Sequence, residues 1–340
     1  MTQQSLPRSL PNPDTTNGTP PSRRRARTVR PGAVLAFVAA LIASPAPELA
    51  AIELLPVPPA PACTHELVYE PFAGLILVAV TIGGSPPMDF VLDSGATQSA
   101  ITDPYLARAV GLELRDVGLA RGIGSGATHV MIADDAVIRA DGVELLHVPL
   151  VVHDIGVSLA ETAGRDIHGF LGSELFERYV VEIDPANRRL LLHDPEGYRY
   201  ERGGVALPLE IEDRRPVVQG SVTVRAGDKP VPVRLMVDTG SSRSLTLISR
   251  SRRRLKPPPG QMPSDSFGVV GPTTVMVGPV ARFELGVVVS EGLETSWMDS
   301  YQVPAVRNIT DLNGILGNGL LSRLRTVFDY RGNRLVVEPR

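Results

Sequence analysis

Apolar residues along this chain fall mostly in alternation or in short unbroken runs, and seldom at the three-and-four spacing of an amphipathic helix. The runs Phe90-Val-Leu92 and Leu235-Met-Val237 are each followed at once by an acid, a hydroxyl residue and glycine. Such runs fit strands buried on both faces, and the polar triplet fits the turn that ends each of them. Helix signals are few. Asp103-Pro104 offers an N-cap followed by proline at the first helical position, and Gly111 stops that segment. Shorter helices are expected over 174–178 and 320–325. Gly (32) and Pro (31) are abundant for 340 residues, which again favours many strands joined by tight turns. The expected class is all-β.

The pattern occurs twice. The segment Phe90-Val-Leu-Asp93-Ser-Gly-Ala-Thr97 returns as Leu235-Met-Val-Asp238-Thr-Gly-Ser-Ser242, an offset of 145 residues. At the same offset His168-Gly-Phe-Leu-Gly172 matches Asn313-Gly-Ile-Leu-Gly317, and Asp184 with Arg189-Leu190 matches Asp329 with Arg334-Leu335. A duplication follows, with a leader over 1–51, a proline-rich linker over 52–63, one lobe over 64–200 and a second over 201–340.

Each motif delivers an acid to a buried turn, where a lone carboxylate is costly to desolvate. Two related lobes facing one another can bring Asp93 and Asp238 together about a pseudo-twofold axis. Like charges at close range do not both ionise readily, so such a pair shares one proton. The ionised member can take a proton from water while the protonated one hydrogen-bonds a substrate carbonyl, which is hydrolysis with no cofactor and no metal.

Asp93-Ser-Gly-Ala-Thr and Asp238-Thr-Gly-Ser-Ser, each with its later apolar-apolar-Gly, resemble the aspartic proteases, both the single-chain pepsin type and the retropepsin type, over nearly all of residues 70–340. The resemblance implies two homologous retropepsin-like β-barrel lobes with the active site in the cleft between them, and an endopeptidase acting on peptides or proteins. It implies that Asp93 and Asp238 are catalytic, that Ser94 and Thr239 tie the two loops through crossed hydroxyl-to-backbone hydrogen bonds, and that Gly95 and Gly240 permit the tight turn. Ala96, Thr97, Ser241 and Ser242 complete the supporting loops. Glycine-rich hairpin flaps are expected at Gly122-Ile123-Gly124-Ser125-Gly126, 29 residues after Asp93, and at Gly268-Val269-Val270-Gly271, 30 after Asp238. The tyrosine of pepsin-type flaps is absent from both. Of the residues three past each acid, Ala96 and Ser241, only Ser241 has a hydroxyl able to donate to its own carboxylate. The shared charge is therefore expected on Asp238 and the proton on Asp93.

The remaining features narrow the setting. Five arginines between 23 and 30 precede eleven apolar residues over 33–43, the order of an export signal, with membrane attachment only if that segment stays uncleaved. A periplasmic or extracellular location is expected. Without residues 1–51 the net charge falls from −3 to about −7, which disfavours nucleic acid as a partner. The basic cluster Arg250, Arg252, Arg253, Arg254 and Lys256 reads as a solvated helix face. One cysteine, Cys63, allows no intrachain disulfide. The six histidines lie in the first half without close ligand spacing, no Gly-x-Ser-x-Gly elbow is present, and 122–126 lacks the Lys-Ser or Lys-Thr of a phosphate loop. Asp184 and Asp329, each ahead of a turn and a final strand, read as turn formers. The chain is expected to work as a monomer. The alternative function is a catalytically silent protein that grips extended peptides on the same fold.

Overall fold

The computed structural model describes residues 37–38, 65–120, 128–200, 202–268, 271–302, 306 and 308–339. Strand β1 (Phe37–Val38) runs parallel beside Phe267 and Gly268. The first half then places β2 (His65–Val68), β3 (Glu70–Phe72), β4 (Leu75–Ile82), β5 (Met88–Leu92) and β6 (Ala100–Ile101) in order. Helix α1 (Pro104–Ala109) leads to the long hairpin strands β7 (Leu114–Ala120), β8 (Thr128–Ala140) and β9 (Val143–His153). Helix α2 (Gly156–Ala163), β10 (Gly169–Leu171), helix α3 (Ser173–Arg178), β11 (Val180–Asp184) and β12 (Arg189–His193) complete it.

The second half repeats the order: β13 (Val205–Pro208), β14 (Glu210–Glu212), β15 (Arg215–Thr223), β16 (Val231–Asp238), β17 (Leu245–Ile248) and β18 (Met262–Gly268). β19 (Gly271–Leu285), β20 (Val288–Met298), β21 (Gly314–Gly317), helix α4 (Asn318–Leu321), β22 (Leu324–Asp329) and β23 (Arg334–Pro339) follow. In the first half β4, β5, β10, β6, β9 and β8 form a ring that the β4–β8 pairing closes. In the second, β15, β16, β21, β17, β20 and β19 form the matching ring, closed by β15–β19. The all-β class expected from the pattern and the two barrels implied by the family resemblance are both present.

The unbroken apolar runs have a simple cause. Phe90 and Leu92 of β5 face the main core, while Val91 between them faces a second cluster with Ala96, Ala100 and Phe170. In β16, Leu235 and Val237 face the main core and Met236 a third cluster with Ile315. Both faces of these strands are buried, so alternation disappears from the sequence at these places.

A third sheet belongs to both halves. Its order is β13-β23-β22-β11-β12-β2, with β11 and β22 paired antiparallel at the centre, Glu182 opposite Val327. Arg325 of β22 forms ion pairs with Glu182 and Asp184 of β11 across this seam. Asp184 Oδ1 also accepts the N–H groups of Ala186 and Asn187, and Asp329 Oδ1 that of Gly332, so both acids shape their turns.

Helix α1 has the expected cap, with Asp103 accepting the Tyr105 N–H at 2.7 Å. Two expectations are corrected. The helix placed at 320–325 is α4, Asn318–Leu321, because Leu324, Thr326 and Phe328 are already needed as strand residues of the shared sheet. The basic run is no helix face either: Arg250 turns at φ +63° and its N–H donates to Leu255 O at 2.7 Å, folding 250–255 into consecutive turns. Helix α2 lacked a sequence signal because Ile155 at its start offers no side-chain cap; Gly164 in the left-handed region ends it.

Candidate active site

Asp93 directly follows β5 and Asp238 ends β16, and both are fully buried. Each of these strands runs parallel to a partner carrying the apolar-apolar-Gly element. Leu171 lies opposite Leu92, and Gly317 opposite Asp238. The Asp93 N–H donates to Leu171 O at 2.9 Å, which fixes the first acid to that element. Inner oxygens are held by the turn itself. Asp93 Oδ1 accepts from the N–H of Gly95 (2.9 Å) and of Ala96 (3.0 Å), and Asp238 Oδ1 from that of Gly240 (2.9 Å).

The carboxyl of each half lies against the glycine of the other. A Cβ added to Gly95 would stand 2.6 Å from Asp238 Cγ, and one added to Gly240 would stand 2.4 Å from Asp93 Cγ. Glycine is required at both positions because the opposing carboxyl occupies the space of a side chain. The two outer oxygens, Oδ2 of Asp93 and of Asp238, are buried without a hydrogen-bond partner among the described residues.

Ser94 and Thr239 lock this arrangement. The Ser94 hydroxyl donates to Val237 O (2.8 Å) and accepts the Thr239 N–H (3.1 Å); the Thr239 hydroxyl donates to Leu92 O (2.7 Å) and accepts the Ser94 N–H (3.0 Å). All four bonds cross between the halves and all are buried. Ala96 is enclosed and accepts the Ser173 N–H at 3.0 Å, while Thr97 O accepts the Ser173 hydroxyl at 2.6 Å. Ser241 O accepts the Asn318 N–H at 2.6 Å, but the Ser241 hydroxyl has no partner among the described residues. It therefore does not supply the donor to Asp238 that the sequence led us to expect. Ser242 packs against Gly74, at the β3–β4 turn of the other half.

A residue that sequence reasoning missed completes the site. Arg215, the first residue of β15, is wholly buried; its Nε donates to Gly95 O at 2.8 Å and it pairs with Asp213. Its neighbour Arg214 grips Glu177 of α3 through two contacts of 2.7 Å. The only hint in sequence was a pair of arginines after Asp213 at a hairpin turn, with no like residues at the matching place in the first half.

Burial is the largest cause raising both acids above the usual carboxylate range. For Asp93 the charge of Asp238 adds to the rise, and Asp93 is raised further. For Asp238 the adjoining Asp93 carboxyl, the Gly240 N–H and the Arg215 charge oppose the rise. Nearby, burial pushes Glu174 up to about 7 although its Oε2 accepts the N–H (2.9 Å) and hydroxyl (3.0 Å) of Ser99.

Of the expected flaps, 122–126 lies outside the described residues, between β7 and β8, which pair as a hairpin. Gly268 and Gly271 pair with each other at the end of the β18–β19 hairpin, and Val269 and Val270 lie outside the described residues. Among the described residues no cluster of three or more His, Cys, Asp or Glu stands close enough to hold a metal, and no helix is long and apolar enough to cross a membrane.

Residues 78–175 match the family model described as aspartyl protease. That stretch contains β5, Asp93 and the β10 element of the first half. No curated protein matches the chain.

Proposed function

We propose that this chain is an aspartic endopeptidase whose Asp93 and Asp238 activate water against a peptide bond, a reading supported by the first-half match to the aspartyl protease family model and by the two closed barrels. The supporting observation is the placement of two buried carboxyls, each pressed on the other half's glycine, with both outer oxygens unpartnered. Buried acceptors are rarely left so unless a ligand or water meets them in use.

Asp93, raised further, carries the shared proton, and Asp238, which accepts the Gly240 N–H and feels the charge of Arg215, carries the negative charge. The Asp238 carboxylate takes a proton from water as the water oxygen attacks the scissile carbonyl carbon. Asp93 meanwhile donates its proton toward the carbonyl oxygen. On collapse the C–N bond breaks, the amine leaves with the proton held by Asp238, and a proton returns to Asp93. Ser94, Thr239 and Arg215 touch no reacting atom in this scheme; they hold the two loops in register. The β7–β8 and β18–β19 hairpins act as the flaps that cover the substrate. An extended peptide is the substrate, the working unit is one chain, and the place of action is outside the cytoplasm, after export on residues 1–51.

Digestion of a denatured protein mixture tests this. Wild type should generate new peptide termini, and Asp93→Asn or Asp238→Asn should each lower the rate by roughly 10³-fold or more while melting like wild type. Undiminished cleavage by either variant would remove the dyad assignment. Retention of peptides by a wild type that cuts none would favour the silent binding protein instead.

A further inference from the structure

Five residues past each acid the halves differ in charge: Gln98 in the first, Arg243 in the second. Arg243 is only 5 % exposed. Its terminal nitrogen reaches Ser264 Oγ (3.3 Å) and Asp265 O (3.1 Å), both on β18, three to four residues before the flap turn at Gly268. Among the described residues no carboxylate stands within ion-pair distance of it; Glu294, the acid that acts on it electrostatically, is exposed and forms no ion pair with it. The Arg243 Nε is buried with no acceptor, and so is the hydroxyl of the preceding residue, Ser242. Neither Thr97 nor Gln98, the counterparts in the first half, leaves an unpartnered buried atom.

The contrast with the rest of the molecule is informative. Arg214, Arg215, Arg234 and Arg325, the other poorly exposed arginines near the core, each have a carboxylate at hand. A buried guanidinium without one is held at a cost, and burial depresses its pKa. It is placed between the loop that carries Asp238 and the strand that carries a flap, where an extended peptide would be clamped.

We propose that Arg243 binds an acidic side chain of the substrate close to the cut, so that the second half selects Asp or Glu. The assignment rests on the peptide-hydrolase reading of the cleft. The substrate carboxylate supplies the missing counter-ion, and flap movement, which carries Ser264 and Asp265, uncovers the guanidinium for it.

The test uses full-length Asp93→Asn protein and extended fluorescent peptides in which Glu, Gln or Lys is scanned through each position, read by anisotropy, with cleavage of the same peptides by wild type in parallel. At one position Glu should bind at least about tenfold more tightly than Gln. Arg243→Gln should abolish that difference without weakening the Gln peptide, Arg243→Glu should shift the preference to Lys, and Arg243→Lys should retain part of the Glu preference. In the parent, lowering the pH below about 4.3, where a free Glu is protonated, should erase it. If no position favours Glu, or Arg243→Gln keeps the preference, the assignment is overturned. A Glu preference in binding with no cleavage by wild type would sink hydrolysis and leave Arg243 standing, whereas cleavage without acidic preference would do the reverse.

Discussion

The two halves hold the same motif by different means. In the first, the loop after Asp93 rests on a carboxylate: Glu174 accepts both the N–H and the hydroxyl of Ser99, and the Ser99 hydroxyl in turn accepts the Gly172 N–H at 2.9 Å. In the second, Gly319 stands where Glu174 does, so close that a Cβ would lie 2.7 Å from the Ser244 N. Asn318 beside it instead reaches across to Gly74 O at 2.6 Å. The ion pairs between the halves show the same division. Arg214 with Glu177, Arg325 with Glu182 and Asp184, and Arg331 with Glu196 all take the arginine from the second half and the acid from the first. A symmetric dimer must carry both members of each pair on every copy. After duplication the halves have become complementary and are no longer interchangeable.

The sharpest way to test what remains symmetric is at the glycines. Gly95→Ala and Gly240→Ala each push a methyl group into the opposite carboxyl, and each should cut turnover by at least about 10²-fold, measured as kcat/KM on one peptide. A mild effect in one half alone would show that the dyad is not balanced between them.

The asymmetric partner comes next. Arg215→Met removes a buried cation from Asp213 and Gly95 O and should cost about 3–5 kcal/mol in urea unfolding. It should also move the acidic limb of the activity profile to higher pH, because the Arg215 charge favours ionisation of Asp238. An unmoved limb would confine Arg215 to a structural role.

Glu174 gives a pH-dependent contrast. Its carboxyl is raised to about 7 from 4.5, so the folded protein binds more protons than the unfolded chain between those values. Its contribution is fully present below about pH 4.5 and is lost as pH rises through about 7, by up to about 3 kcal/mol. Glu174→Gln should flatten the dependence of stability on pH across that window, read by denaturant melts at several pH values. A slope unchanged from wild type would mean that Glu174 is ionised when buried.

The smallest effect is expected at Ser241. With its hydroxyl unpartnered, Ser241→Ala should change stability by less than about 0.5 kcal/mol and leave the acidic limb in place. A limb displaced upward would restore the hydroxyl as a donor to Asp238.

What the sequence made legible was whatever the duplication repeated. Asp93 and Asp238, the hydroxyl-glycine pairs after them and the two apolar-apolar-Gly elements stand out because both copies keep residue type and spacing, and the barrels were implied by the family resemblance that these motifs carry. Arg215, Glu174 and Arg243 were not legible for the same reason: each occurs in one half only, so comparison of the chain with itself passes over it. Their roles depend on contacts 21 to 120 residues away, such as Arg243 with Ser264 and Asp265, Ser99 with Glu174 and Gly95 with Arg215, which local pattern does not encode. Ser241 was misjudged because a hydroxyl near a carboxylate in sequence says nothing about where its rotamer points.

The sheet shared by both halves also sets a length scale. β12 and β13 are separated in it by β11, β22 and β23, so four strand spacings, about 19 Å, divide them. The connecting residues, 194–204, number eleven and can reach up to about 36 Å when extended. The tether is thus long enough to close the sheet without strain and short enough to hold each half near the other at an effective concentration of about millimolar. Catalytic pairs assembled from separate subunits thin out as the protein is diluted. Here the specific activity per chain should stay constant from micromolar to picomolar protein, and a protease nick within 194–204 should make it fall with dilution.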